Sequence, residues 1–481
     1  MQFDHRHAGK HATTVGRRRG LREFGKPACM LLLALLALTG TAAQARHSHS
    51  GEPALPIVFV HGFSGSGAQY ETQAMRFASN DYPNVVTAID RTSTTPAVIY
   101  PILDAFFDEL MARTGDSQIY AIGHSAGTAV MAGYLSSSPE RAARVAKYIG
   151  IDGLSLAACP GAVPCMGIWA RGNPERALGP DDNIQFADQG HTQVVGSAES
   201  FIEQYRFFTG RTPRTTLILP EPPGRVKISG RVLNYPANTG LAGATLQVWK
   251  VNRFTGKRVH FRPQAEFNVG EDGNFGPVRV SSTQRYELTV IRPQGGTQHF
   301  YYEPFLRSDH LIRLNLSPPD SPLAQAIEGG PGHSSVSIIR QKEWWGDHPE
   351  ESDALYISTW SAGAGYRQPV NLINGATAPL AGSTIAIITF DADSDGVSHT
   401  DALLPLGAFL SGVDMYYPAA TPPDGTISFV HAQRQADGLQ VINAPNWASS
   451  EHGISVNFRD WTQRIDSWAD CLRVRHSPCR R

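Results

Sequence analysis

Gln118-Ile119-Tyr120-Ala121-Ile122-Gly123-His124-Ser125-Ala126-Gly127 is the stretch that decides the fold. Residues 118–122 read as a short buried strand, and Thr128–Leu135 behind them read as a helix. Between the two stands G-x-S-x-G, the strand–turn–helix known as a nucleophile elbow. The turn is so tight that its flanks tolerate almost no side chain. Glycine at 123 and 127 meets that need and leaves Ser125 exposed at the end of a sheet. A purely structural Gly-Ser turn is the competing reading.

About sixty residues upstream, Pro56-Ile57-Val58-Phe59-Val60 is a continuous apolar strand running into His61-Gly62-Phe63. A carbonyl turning tetrahedral needs two N–H donors aimed at its developing charge. The backbone N–H groups of Phe63 and Ala126 are the expected pair; an ordinary strand-ending turn is the alternative at His61-Gly62.

A serine hydroxyl is a poor nucleophile without a base, and the base needs an orienting acid. In this arrangement the chain order is Ser, acid, His. His191, in Ala187-Asp188-Gln189-Gly190-His191-Thr192, follows the last short strand and precedes the last helix, so it is the expected base. The usual acid position, after Trp169-Ala170-Arg171-Gly172-Asn173, holds no carboxylate before Glu175. One strand earlier, Tyr148-Ile149-Gly150-Ile151-Asp152-Gly153 ends in an acid, and Asp152 is the expected partner of His191. Asp181 and Asp182 are its rivals, and an Asx turn before Gly153 is the structural alternative.

These residues resemble a known group. His61-Gly62-Phe63, Gly123-His124-Ser125-Ala126-Gly127, Asp152-Gly153 and His191, followed by a long β-rich region, are similar to the secreted long-chain lipases of archaea and bacteria typified by the one from Archaeoglobus fulgidus. The resemblance implies an α/β-hydrolase fold followed by a β-sandwich or β-barrel-like region, an ester or lipid substrate of the acylglycerol class, and a β-domain concerned with long acyl chains. The specific part covers residues 55–210. A polyester depolymerase with polymer-binding β modules is the second reading, and a non-catalytic binding protein on a hydrolase fold is the third. Ser125 excludes the dehalogenase and epoxide-hydrolase readings, which need Asp there.

The chain has 481 residues, more than one ordinary core holds. Its formal net charge of −1 argues against a nucleic-acid partner. Residues 1–45 read as a signal peptide: Arg17-Arg18-Arg19 and Arg22 precede the apolar run Met30–Leu38, and Ala43-Gln44-Ala45 is a small-x-small cleavage site. The run is too short for a membrane span, so cleavage near Ala45 predicts an exported protein without a transmembrane anchor. Cysteine use agrees. Cys29 leaves with the signal, and Cys159 with Cys165 and Cys471 with Cys479 form two close pairs, expected as local disulfides.

Residues 46–220 alternate strand and helix, as a parallel sheet covered on both faces does. The expected strands are 57–60, 85–89, 145–151, 166–170 and 184–186; the expected helices are 68–78, 98–113 and 194–208. In the second helix Ile99, Ile102, Leu103, Phe106, Phe107 and Leu110 share one face. Pro220-Glu221-Pro222-Pro223-Gly224 is a linker. Residues 225–318 read as a β-sandwich resembling transthyretin-like modules, and 330–470 as a second β-rich module or the rest of one larger β-domain. All the expected chemistry lies before residue 200, which predicts that the β-rich region tunes substrate range only. The chemistry requires no cofactor or metal. Asp391-Ala392-Asp393-Ser394-Asp395-Gly396 nevertheless has the spacing of a calcium loop, with Asp391, Asp393 and Asp395 as ligands; Ala402 stands where its twelfth-position Glu belongs, and a solvated turn is the alternative. Trp344-Trp345 reads as core filling, with interfacial stacking as the alternative.

Overall fold

The computed structural model describes residues 52–172, 174–344, 352–373, 383–434 and 438–461. The signal segment, Cys471, Cys479 and Trp345 lie outside the described residues.

The first sheet is built from β1 (Ile57–Val60), β2 (Val86–Ile89), β3 (Ile119–His124), β4 (Val145–Ile151), β5 (Cys165–Trp169) and β6 (Asn183–Gln185). Its order is β2-β1-β3-β4-β5-β6, and every pairing is parallel. Successive side chains of a strand face opposite ways. Ile57 and Phe59 therefore enter one core with Tyr120 and Ile122, while Val58 and Val60 enter the other with Ala121. Both faces are dry, which explains why these strands read as continuous apolar runs.

The helices are α1 (Glu71–Ser79), α2 (Pro96–Thr114), α3 (Ala126–Ser137), α4 (Pro139–Ala143), α5 (Gln193–Gly196) and α6 (Ala198–Thr209). Along α2, Ile99, Leu103, Phe107 and Leu110 are buried, but Ile102 is exposed and belongs to the solvent side. The helix expected over 194–208 is two helices. Ser197 breaks it with extended backbone and caps α6 by accepting the Ser200 N–H at 3.1 Å.

Past the linker the sheets are different in kind. A nine-stranded sheet runs from Ala265–Asn268 at one edge to His399–Gly407 at the other. Near its middle, Thr297–Tyr302 lies parallel to His452–Asn457, which lies parallel to Val336–Ile339. Segments 225–318 and 330–461 thus share one sheet. Two four-stranded sheets cover its two halves. Leu246, Val248 and Leu288 pack with Val232 and Leu314 under one, and Ile338, Ile387 and Val456 pack with Ile357 and Phe429 under the other. Trp344 is fully buried in the second core, its indole N–H donating to the Ile385 carbonyl at 3.0 Å. Among the described residues no helix is long and apolar enough to cross a membrane.

Candidate active site

Ser125 joins β3 to α3 with φ 52° and ψ −122°. A non-glycine residue held there costs on the order of 1–3 kcal/mol, and such strain persists only where the surroundings over-determine it. They do here. A Cβ at Gly127 would stand 2.2 Å from the Val60 carbonyl oxygen, and one at Gly62 would stand 2.8 Å from the Ser125 Cβ. The Thr128 hydroxyl donates to the Ser125 carbonyl at 2.6 Å and accepts the Leu154 N–H at 2.7 Å, tying the elbow to the loop after β4.

That loop carries Asp152, itself at φ 41° and only 6% exposed. Its Oδ2 is hydrogen-bonded to His191 Nδ1. Its Oδ1 accepts the Ala170 N–H at 3.1 Å and Arg176 Nη1 at 2.7 Å. Burial alone would raise the Asp152 carboxyl. The His191 hydrogen bond and the His191 and Arg176 charges outweigh it, and the group lies below the usual carboxylate range. Arg176 is held in turn by the Gly153 carbonyl at 2.6 Å and by the Trp169 ring, 4.5 Å away. Asp181 and Asp182, the rivals of Asp152, lie exposed beside β6.

His191 sits between two other rings. His124 approaches with ring centroids 4.6 Å apart, and its Nε2 meets the His191 carbonyl oxygen at 3.0 Å. Burial and the neighbouring His191 lower His124 to about 3, so it is neutral and no rival base at ordinary pH. Phe409, from the β region, stacks nearly parallel to His191 at 6.1 Å. Glu343, also from the β region, accepts the backbone N–H groups of Thr192 at 2.6 Å and Gln193 at 3.0 Å. One carboxylate thus satisfies two open donors where the His191 loop enters α5. Arg434 braces the pair, donating to Gln193 Oε1 at 2.9 Å and to the Glu343 carbonyl at 2.6 Å.

The loop of Phe63 is gripped in the same way. Ala126 is the first residue of α3, so its N–H has no partner inside that helix. His61 Nδ1 meets the Gly62 carbonyl at 2.8 Å, and its Nε2 accepts the Arg91 N–H at 3.0 Å. The Asn238 amide, from the turn after Lys227–Asn234, donates to His61 Nε2 at 3.2 Å and to the Gly65 carbonyl at 2.9 Å. Asn238 is buried, at φ 58°. Burial and then Arg91 lower His61 to about 4. The Phe63 side chain is 65% exposed, and Leu154 across the elbow is exposed too. A cavity of about 510 Å³ starts at Ser64 and Gly65 and runs past Phe409 to Ile339, Ile388 and Leu410 in the nine-stranded sheet.

Cys159 and Cys165 form a disulfide. It sits where β5 begins, at the opposite end of the sheet from Asp152 and Ser125. A Cβ at Gly161, inside the stapled loop, would meet the Leu135 carbonyl in the last turn of α3, so this loop packs away from the elbow.

Of the residues that shape this site, sequence reading missed Arg176, Asn238, Glu343 and Phe409. Only Asn238 left a signal: Asn238-Thr239-Gly240 reads as a turn, and Asn suits a left-handed position. Nothing local tells what that turn touches.

The fold is the α/β-hydrolase fold, followed by a C-terminal region rich in antiparallel strands. The Alpha/beta hydrolase family model matches residues 57–263, and the Lipase C-terminal domain model matches 224–319. A third model, for a C-terminal domain, matches 322–462. Comparison with curated proteins gives no match. Among solved structures, the chain is similar to the lin2722 gene product of Listeria innocua, at 13% identity and TM-score 0.27, over 34% of this chain and 96% of that one. A structure from a report on the metagenome-derived lipolytic enzymes LipS and LipT aligns at 14% identity and TM-score 0.24, over 32% and 93%. The Bacillus licheniformis lipase BlEst2, in its propeptide form, aligns at 10% identity and TM-score 0.25, over 82% and 93%.

Proposed function

We propose that the chain is an exported serine hydrolase of carboxylic esters, a lipase or carboxylesterase acting on acylglycerols. The observation that carries the proposal is Ser125, strained at a strand end, in the same site as a histidine bonded to a buried, ionised carboxylate.

The proposed steps use these groups in turn. The Ser125 hydroxyl attacks the ester carbonyl while His191 Nε2 takes its proton. Asp152, on Nδ1, fixes the ring tautomer and balances the imidazolium. The Phe63 and Ala126 N–H groups hold the oxyanion. His191 then returns the proton to the departing alkoxide, which leaves as the alcohol. A water, deprotonated by His191, cleaves the acyl-enzyme and restores Ser125. No metal or cofactor enters these steps. Exposed Phe63 and Leu154 beside the nucleophile suit an apolar substrate. The order of hydrolase and lipase C-terminal-domain matches supports the likeness to the Archaeoglobus fulgidus type. Ala43-Gln44-Ala45 and the Cys159–Cys165 disulfide support export.

The test is a series of p-nitrophenyl esters of rising acyl length, with Ser125→Ala as control and a fluorophosphonate as active-site label. Turnover is expected in the unaltered chain and a loss on the order of 10⁴–10⁶ in the variant. Labelling at another serine, or undiminished turnover in Ser125→Ala, overturns the assignment.

A further inference from the structure

Asp391-Ala392-Asp393-Ser394-Asp395-Gly396 leaves the strand Ala386–Phe390, third from the His399–Gly407 edge of the nine-stranded sheet. Its acids repeat at the spacing of a calcium loop, but Ala402 stands where the closing acid belongs. The fold supplies one from elsewhere. Leu410–Asp414 runs parallel to Ala386–Phe390, and its last residue, Asp414, stands opposite Phe390. Asp391, Asp393 and Asp414 bring carboxylate oxygens within 4.8 Å of one another.

A second observation is independent of that clustering. Asp391 is only 3% exposed, and its Oδ1 is buried without a hydrogen-bond partner among the described residues. Its Oδ2 accepts the Gly396 N–H at 3.2 Å. A buried carboxylate oxygen with neither donor nor cation is costly, and two more carboxylates beside it add repulsion. Asp395 is satisfied differently: it accepts the Val397 N–H at 2.7 Å and faces His399 at 3.4 Å.

We propose that Asp391, Asp393 and Asp414 bind one divalent cation, Ca²⁺, with Asp414 taking the place of the loop's missing closing acid. An all-oxygen donor set on a turn suits a hard cation that accepts many ligands in adaptable geometry; Mg²⁺ demands stricter geometry and keeps its water. The cation joins the ends of two neighbouring strands. The other end of Leu410–Asp414 follows Phe409, the ring stacked on His191, so the site anchors the strand that presents that ring.

The test uses the full chain after treatment with a chelator. CaCl₂ is titrated calorimetrically, and melting is followed with and without Ca²⁺. One saturable site with Kd tighter than about 1 mM is expected, with a Tm that rises on addition. Asp391→Asn and Asp393→Ala should each weaken binding at least about tenfold, while Asp401→Asn, an exposed acid outside the trio, binds as the unaltered chain does. Asp393 is exposed, so its variant keeps the test open if Asp391→Asn does not fold. Absence of saturable heat up to about 10 mM, or unchanged affinity in Asp393→Ala, overturns the proposal.

Discussion

The α/β segment of residues 57–209 and the β region behind it differ in what they hold. The first presents Ser125, Asp152 and His191 within seventy residues of sequence, at strand ends and on one loop. The second presents none of these groups, yet it grips both loops that bear on them. Asn238 holds the loop of Phe63, Glu343 holds the loop of His191, and Phe409 stacks on the imidazole. The two regions are also tied by buried charge. Asp90 meets Arg313 at 2.7 Å and Arg231 at 2.8 Å; Glu71 meets Arg459 at 2.5 Å. Leu311 belongs to the same apolar cluster as Ile57 and Phe201. The lesson is that candidate site residues and the framework that holds them need not share a segment.

The sharpest break comes from ending the chain at Leu219. If the β region tuned only substrate range, short esters would still turn over. The structure predicts loss of turnover on short and long esters alike, with no cooperative melt, because Asp90 and Glu71 lose their partners and both loops lose their grip. The cut also uncovers the apolar cluster that Leu311 shares with Ile57 and Phe201. A folded truncation that retained short-ester activity would restore the simpler division.

Next in size is Asp152→Asn. The amide still reaches His191 but does not balance its charge, and kcat should fall about 10⁴-fold, while Asp181→Asn and Asp182→Asn stay near the unaltered rate. A larger loss at Asp182 would move the acid to the later loop.

Glu343→Gln probes the β region's part directly. Two charge-assisted bonds to backbone N–H groups become at most one neutral one, each worth about 1.5–3 kcal/mol. Lower kcat by about tenfold to a hundredfold is expected, with KM for a small soluble ester little changed and slower fluorophosphonate labelling of Ser125. Equal labelling rates would make Glu343 a structural tie only.

The smallest effect is a pH slope. His61 titrates near 4 in the folded chain and near 6.5 when unfolded. Between those values the unfolded state binds the extra proton, so stability rises with pH and is lost as pH falls. From pH 7 to 5 this one group should remove about 2 kcal/mol, read by urea unfolding; His124, also lowered, adds in the same direction. His61→Gln should flatten the slope. An unchanged slope would mean that His61 does not stay neutral between Arg91 and Asn238.

Much of the first region was legible because its signals are local. A parallel strand buried on both faces reads as an apolar run, as at Ile57–Val60, and the elbow needs glycine where the backbone crowds Val60. Ile102 was misread because a helix face spans a range of angles, and only packing decides which edge residue reaches the core. The break at Ser197 was missed because apolar spacing runs across it. In the β region, alternation marks strands but not partners. Thr297–Tyr302 pairs with His452–Asn457 across some 150 residues, and no local pattern encodes that register.

By itself the sequence set out the candidate groups and their order: the elbow with Ser125, the acid ending the strand before the usual one, the histidine ahead of the last helices. Those depend on backbone conformation and short spacing, which neighbouring residues dictate. Only the tertiary structure decided that Arg176 and Ala170 would hold Asp152, that Glu343 would hold the His191 loop, and that Asn238 would hold the loop of Phe63. Each is a side chain meeting a backbone group far away in the chain, and such meetings exist only once the sheets have packed.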